Sequence, residues 1–519
     1  MSKKIVIDPI TRIEGHMKIE AIVDGGVVKE ARCSGMLFRG LEIILRGRDP
    51  RDAQRITQRI CGVCPTAHSI ASTLALDDAF GIAGKIPDNG RLMRNLIFGS
   101  NYLQSHILHF YHLAALDYVD VTAAAGYTGS DPNLRKAADF IAHGSLAPFM
   151  PRYEGDYRLP KAVNQAAVSH YIEALNQRRA THEMLAIFGG KAPHNMGIFP
   201  GGALEQVTVD KIAEFRWRLE RLRDFVDNIY IPDVLAVAKV YSDYFTIGKG
   251  CQRYMSYGGW DLDSAADLSK RKRMIPNGIL DGKTNKLLPF NPANITEHVK
   301  HSWYKSRSNL PPAEGQTEVD PQKPDAYSFI KAPRYEGGVC EVGPLARMLV
   351  AYSKGVQPIK KLVDSTLSAL GAQAPALSSV LGRHAARALE AKMVADSMAE
   401  WVLQLKPGEP VCAKYDLPET GSGMGISEAP RGSLGHWIEV KNGVIDNYQA
   451  VVPTTWNCSP RDDNDIPGAC EQALEGTTVK DEANPFELVR IVRSFDPCLA
   501  CSVHMVTPKG RDIGKFKVV

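Results

Sequence analysis

The chain has 519 residues, 44% hydrophobic and 23% charged, the balance of a globular protein with a sizeable core rather than of a fibre or a disordered tail. Its 62 basic and 58 acidic residues leave a net charge of only +4, which gives no bulk attraction for nucleic acid or for a membrane surface. No window reaches the roughly 18 apolar residues of a membrane helix. The opening MSKKIVIDPITRIEGH also lacks the apolar run of an export signal, so any membrane association is expected to run through partners.

In chain order, residues 5–35 alternate apolar and polar about Asp24-Gly25-Gly26, which predicts an antiparallel hairpin. RDAQRITQRICGVCPTAHSIASTLALDDAF has helical spacing broken at Gly62 and Pro65, so the first cysteine pair is expected at a loop-to-helix transition. Residues 90–119 predict one long buried helix, and two more run from about 161 to 188 and about 209 to 243. Periodicity fades over 244–345, an irregular, loop-rich region, and helical spacing resumes at about 345–405. GHWIEVKNGVIDNYQAVV then predicts a hairpin at Asn442-Gly443. Antiparallel sheets at both ends of a helix-rich chain predict an α+β fold forming one intertwined unit over 1–504.

Ten cysteines in a chain of this length are too few for a disulfide-built domain. Cys33, Cys251, Cys340, Cys412, Cys458 and Cys470 stand alone and read as small buried hydrophobes. The other four form two Cys-x-x-Cys pairs, Cys61/Cys64 in RICGVCPTAH and Cys498/Cys501 in DPCLACSVH. Such a spacing lets two thiolates reach one metal, and four soft ligands suit zinc, an iron–sulfur cluster or a catalytic nickel or iron site. A dithiol redox pair is a further reading of either motif. Spacing does not choose among them.

The flanking residues add a resemblance. RICGVCPTAH and DPCLACSVH resemble the two signature motifs of nickel–iron hydrogenase large subunits. RIEGH at 12–16, RGLE at 39–42, HFYHLAALD at 109–117, ITEHVKHSWY at 295–304, EVGPLAR at 341–347, EAPRGSLGHW at 428–437 and VVPTTWN at 451–457 match further family segments in family order. The resemblance implies reversible heterolysis of dihydrogen to protons and electrons, and among subgroups it is nearest the respiratory uptake enzymes. It implies a centre in which Cys61, Cys64, Cys498 and Cys501 bind nickel, Cys64 and Cys501 also bind iron, and the iron carries carbon monoxide and cyanide.

It also implies roles for other residues. Arg431, beside Pro430, would face a cyanide ligand and the developing charge, and Thr454 would donate to a second cyanide. Asp117 and Asp496 would pair with Arg431 and hold it. Glu14 would relay the proton taken by the Cys498 thiolate, with Arg431 as the alternative base or as the electrostatic guide. His68, one helical turn after Cys64, would hydrogen-bond that sulfur. His106, His109 and His112 read instead as core histidines with hydrogen-bond partners. Glu42, the carbonyl of Ala450 and His504 would ligate magnesium or iron at a second, oxygen-rich site.

Family members are made with a C-terminal extension that a nickel-dependent peptidase removes. MVTPKGRDIGKFKVV, residues 505–519, resembles it, so a maturation peptidase acting after His504 is expected. The other six cysteines are too dispersed for an iron–sulfur chain, so electrons are expected to leave through an iron–sulfur small subunit. Through that partner the chain would be periplasmic or membrane-associated, with a cytoplasmic location as the alternative.

Overall fold

A computed structural model describes residues 2–144, 155–267 and 270–502, the side chains of Cys501 and Ser502 excepted. Strands Lys3–Ile7, Met17–Asp24 and Val27–Gly35 form an antiparallel sheet in chain order. Its tight turn falls on Gly25 and Gly26, both at positive φ, where side chains other than glycine's are strained. Strands Gly421–Ala429, Gly432–Lys441 and Val444–Val451 form a second such sheet, turning at Asn442-Gly443 as the sequence predicts.

Between the sheets lies a helical core. The Asp88–Ile107 helix is buried round nearly its whole circumference and packs on both Lys161–Gly189 and Val380–Gln404, with Val209–Phe225 packed on the latter two. The fold is therefore α+β as expected.

Two predicted helices are interrupted. The one expected over 90–119 is α-helical only to Ile107. It then widens into a π turn at Leu108–Ala114 and tightens to a 3-10 turn at Ala115–Asp117. The one expected over 209–243 breaks at a second π turn, Val226–Tyr230, before Ile231–Val240; Pro232 in the first turn of that last piece has no N–H to continue the ladder. The region 244–345 carries short antiparallel strands, among them Arg253–Ser256, Gly278–Asp281, Ile295–His298 and Ala332–Tyr335, so its backbone bonds are made between strands rather than left to loops.

Two packing features build the site. First, the Pro65–Ala79 helix lies directly on the Gly421–Ala429 strand. A Cβ on Gly421, Gly423 or Gly425 would fall 2.5, 2.1 or 1.8 Å from the carbonyl oxygens of Ala79, Ala75 and Ala71. Glycine at every second strand position therefore meets alanine at every fourth helix position, since two strand residues rise about 6.6 Å and four helix residues about 6.0 Å. Continued at the same rise, the pairing brings Ser427-Glu428 level with the helix N-terminus at Pro65, just short of the hairpin tip Pro430-Arg431. Second, the chain ends meet: Val28 and Val479 donate backbone N–H to Thr477 and Gly26, and Glu14 forms a parallel bridge with Cys498.

Candidate metal centre

Cys61 leaves the 3-10 turn Gln58–Ile60 in extended conformation, and Cys64 caps the N-terminus of the Pro65–Ala79 helix, with Pro65 as its first residue. The loop folds back on the first sulfur. The backbone N–H groups of Val63 and Cys64 point at Cys61 Sγ from 3.2 and 3.4 Å, which favours a thiolate there. Asn101 Nδ2 and Gln104 Nε2, on the buried Asp88–Ile107 helix, donate to the Val63 carbonyl at 3.1 and 2.5 Å and pin the loop from behind.

The second pair is held from afar. Cys498 N–H donates to Thr454 Oγ1 at 3.0 Å, and Leu499 N–H donates to the Glu14 carbonyl at 2.8 Å. Ala500 N–H donates to Glu14 Oε2 at 2.7 Å. Gly15 makes this approach feasible, because a Cβ there would sit 2.6 Å from Leu499 Cβ and its φ is +83°. Arg39 clamps the two motifs together, donating to the carbonyls of Arg59 and Ile60 on one side and of Ala500 on the other.

These supports bring Cys61, Cys64 and Cys498 into one buried group whose sulfurs all lie within 4.8 Å of one another, with Cys61 Sγ and Cys498 Sγ 3.3 Å apart. Sulfurs bound tetrahedrally at about 2.3 Å would be spaced on this scale, so the donor set fits a thiolate-bound metal. The Cys501 side chain, the fourth expected ligand, lies outside the described residues, as does all of His504.

Charge is arranged around the sulfurs. Arg431 is buried at the tip of the hairpin; Nη2 and Nε reach Asp496 Oδ1 and the Asp496 carbonyl, each at 2.9 Å, and Nη1 faces Ser105 Oγ at 3.4 Å. Burial opposes the guanidinium charge, but Asp496 and then the Cys498, Cys64 and Cys61 sulfurs outweigh it and hold the group firmly protonated. Asp496 occupies the left-handed region at φ 56°, a strained setting for a non-glycine residue that the surrounding bonds fix. The Pro430 carbonyl accepts from Arg347 Nη2 at 3.1 Å, and Arg347 is itself held by Glu390 and Glu428 in a fully buried network.

Glu14 Oε2 lies 3.2 Å from Cys498 Sγ. Burial, then the negative Cys61 sulfur, push its carboxyl above the usual range, with the Ala500 N–H pulling the other way.

Two expectations are corrected. Asp117 does not pair with Arg431; its carboxylate takes Arg12 and Arg493, whose charges overcome burial and hold it below the usual range. The π turn before it inserts extra backbone, so the face Asp117 occupies cannot be counted along a regular helix from Ser105. His68 bonds through Nδ1 to His436 Nε2 at 3.2 Å, not to the Cys64 sulfur, among the described residues. Burial pushes its imidazole down to about 4.

His106, His109 and His112 are core histidines as expected, with Nε2 on Glu390 and on the carbonyls of Arg493 and Tyr171. Of the six cysteines read as isolated, five are buried and Cys412 is half-buried; Cys33 and Cys458 both interact with Cys470. Arg39, Arg12, Arg493 and Ser105 were not singled out from the sequence, although Arg39 and Arg12 head the quoted RGLE and RIEGH segments. The remaining two carry no local signal.

At the expected second site Glu42 Oε1 accepts the Ala450 N–H at 2.9 Å and Oε2 accepts the Thr317 hydroxyl. Gln449 and the buried Lys331–Glu297 pair stand beside it.

The family model described as nickel-dependent hydrogenase matches residues 39–504, and one described as HoxL-like matches residues 4–34. A periplasmic [NiFeSe] hydrogenase large subunit of Desulfomicrobium baculatum is 43% identical over 509 residues, 97% of this chain and 95% of that protein. An uptake hydrogenase large subunit of Bradyrhizobium diazoefficiens is 38% identical, covering 99% of this chain and 97% of its own. The reduced Ni-Fe-Se hydrogenase of D. vulgaris Hildenborough superposes with a TM-score of 0.85 at 45% identity, over 97% of this chain and 100% of that one. The selenium belongs to those proteins' names; all four motif positions here are cysteine.

Proposed function

Because the chain belongs to the nickel-dependent hydrogenase family, we propose that the buried Cys61–Cys64–Cys498 group, completed by Cys501, holds a nickel–iron centre at which dihydrogen is split reversibly into protons and electrons. The observation that carries this reading is the joining of three clustered sulfurs to a carboxylate 3.2 Å from one of them and a guanidinium fixed in the charged state. By position Cys61 and Cys498 would hold nickel, and Cys64 and Cys501 would hold both nickel and iron. When bound, the two metals supply the Lewis acidity and the electron sink that dihydrogen heterolysis needs.

The chain's own residues handle the proton. Cys498 Sγ takes it, and Glu14 Oε2, within hydrogen-bond reach and with a raised affinity for protons, receives and holds it. Arg431 is the electrostatic guide rather than the base, since Asp496 and the sulfurs keep it charged. Asp117 orders Arg12 and Arg493 instead, one layer further out.

The same reading extends to diatomic ligands on iron. Arg431 would face one cyanide. Thr454 Oγ1 accepts the Cys498 N–H and so keeps its own proton to donate to another. Glu42, the Ala450 carbonyl and His504 would hold magnesium or iron, supported by the oxygen-rich surroundings of Glu42.

The family match ending at His504 supports residues 1–504 as one unit and 505–519 as an extension removed by a maturation peptidase. Among the described residues the one grouping of three or more metal-ligating side chains is this centre. Electrons therefore leave through a small subunit, which we assign iron–sulfur clusters. No described helix is long and apolar enough to cross a membrane, and a relative named as periplasmic supports a periplasmic or membrane-associated complex formed through that partner.

Elemental analysis of the purified complex, paired with hydrogen-dependent dye reduction, tests the reading. Nickel and iron with turnover are expected; stoichiometric zinc without turnover would overturn it.

A further inference from the structure

The hairpin tip that carries Arg431 is gripped from behind by a second buried arginine. Arg347 lies in the first turn of the Pro344–Ser353 helix, and each of its five N–H groups has an acceptor. Nε and Nη2 reach the two oxygens of Glu390 at 2.5 and 2.7 Å. Nη1 reaches Glu428 Oε2 at 2.6 Å and the Ala429 carbonyl at 3.0 Å, and Nη2 reaches the Pro430 carbonyl at 3.1 Å. The Tyr102 ring covers one face of the guanidinium, its centroid 5.5 Å from Cζ. Arg347, Glu390 and Glu428 are all fully buried. Burial works against the Glu390 charge, but Arg347 and then His106 hold its carboxyl down at about 2.

Two walls of the site meet in this one group. One edge of the guanidinium holds the tip, and the other holds Glu390 on the Val380–Gln404 helix. Glu390 Oε2 also meets His106 Nε2 at 2.8 Å, and His106 follows Ser105, which Arg431 Nη1 faces. The spacing between the Arg431 backbone and the helix opposite is thus set by a planar group on a bidentate carboxylate, which is stiffer than a single ammonium contact. Below the tip the support is close packing. A Cβ on Gly432 would fall 2.4 Å from Val342 Cγ2, and Asn457 fixes Val342 through its N–H and its carbonyl, each at 2.9 Å. Burying an arginine between two carboxylates adds little stability, since apolar side chains of similar volume do as well or better. What it supplies is a fixed direction.

We propose that Arg347, held in plane by Glu390, is the positioning residue for Arg431: through the Ala429 and Pro430 carbonyls it fixes where the Arg431 guanidinium stands relative to Asp496 and the cysteine sulfurs. The contacts of Arg431 with Asp496 and Ser105 aim the guanidinium once the backbone beneath it is placed; Arg347 places that backbone. A displacement of about 1 Å in such a group is enough to cost up to about 10²-fold in rate. The effect on dihydrogen turnover rests on the nickel–iron reading above; the position of Arg431 does not.

The test has two arms. Arg347→Lys keeps the charge but offers three donors to five acceptors. In crystals of that variant complex Arg431 is expected to part from Asp496 Oδ1 or to occupy more than one conformer. Arg431 in its unaltered position would overturn the proposal whether or not nickel is bound. In the second arm, turnover per nickel of the holo-complex is expected to fall by about 10–10²-fold in Arg347→Lys, with KM for dihydrogen unchanged. Added to Arg431→Lys, the same substitution is expected to cost less than about threefold, because a residue that acts through Arg431 then has nothing left to position. Unchanged turnover in Arg347→Lys, or equal fold losses in both backgrounds, would overturn the clamp, since a general loosening of the fold multiplies with the Arg431 loss. Glu390→Gln keeps shape and removes only the charged fork, and it carries the same test if the lysine variant does not fold. Its loss is expected to be smaller and again to vanish beside Arg431→Lys. An unaltered complex without nickel would overturn the metal reading instead, with the crystal position of Arg431 still deciding the clamp.

Discussion

The two cysteine pairs share a spacing but not a means of support. The first is built by its own neighbours: the Val63 and Cys64 N–H groups turn onto the Cys61 sulfur, and Pro65 starts the helix that fixes Cys64. The second is built by residues far away in sequence, with Glu14 and Thr454 holding its backbone and Arg431 reaching Asp496 just before it. A motif at a helix start can shape its own binding loop, because the first helical N–H groups are unpaired and available. The second pair also leads into a helix, the short Leu499–Ser502, but there the N–H groups of Leu499 and Ala500 are taken by Glu14, so the pair borrows its support. The borrowed groups are also those with proton and charge chemistry, so the second pair carries the reactivity and the first carries the rigidity.

Mutations can break or sharpen this contrast. The largest effect is expected from Cys498→Ala, which removes the sulfur shared by the metal group and the proton relay. Nickel content and dihydrogen turnover should both be lost, and retention of full nickel would show that Cys498 is not a ligand. Glu14→Gln keeps the Ala500 contact but not the ability to take a proton. Turnover and hydrogen–deuterium exchange should fall by about 10²–10⁴-fold with metals still bound. Since the Glu14 carboxyl is raised above its usual range, the deprotonated base is lost as pH falls through that raised value. The acidic limb of the rate profile should thus lie above the ordinary carboxylate range and vanish in the Gln variant.

Arg431→Lys keeps a charge but loses the fork onto Asp496. A rate loss of about 10²–10³-fold at constant nickel is expected, measured as turnover per nickel. Asp117→Asn separates the site from its surroundings: it leaves Arg12 and Arg493 without their counter-charge. The melting temperature should fall, by the equivalent of about 3 kcal/mol if the buried pairs are fully lost, while turnover per nickel stays near that of the unaltered protein. A large drop in turnover per nickel would return Asp117 to the Arg431 site. Gly15→Ala should cost roughly 1–3 kcal/mol through its positive φ and the clash with Leu499, read by thermal unfolding.

Much was legible in the sequence because it depends on local rules. The Asn442-Gly443 turn, the loop-to-helix placement of Cys61 and Cys64 and the buried Asp88–Ile107 helix follow from turn chemistry, proline and periodicity. The cysteine pairs and the ordered segments around them carried the site. What local rules could not show is orientation. The π turns at 108–114 and 226–230 break the count of helix faces without any residue that announces the first of them, and so Asp117 was assigned to the wrong arginine. Arg493 and Ser105 were missed because nothing near them in the chain marks the partner they meet.

The sequence by itself determined which atoms are available: four thiols in two pairs, an α+β chain with a sheet at either end, and a carboxylate and an arginine in recognisable settings. Only the tertiary structure decided which of them meet. Glu14 and Cys498 stand 484 positions apart and touch at 3.2 Å because their backbones meet in one parallel bridge, with Glu14 bonded to Pro497 and Leu499. Arg431 comes near the cysteine sulfurs at the tip of a hairpin whose first strand lies against the cysteine helix at backbone contact, which three glycines allow. Both are long-range packing outcomes, set by how close two backbones can approach, and no periodicity within either segment encodes its partner.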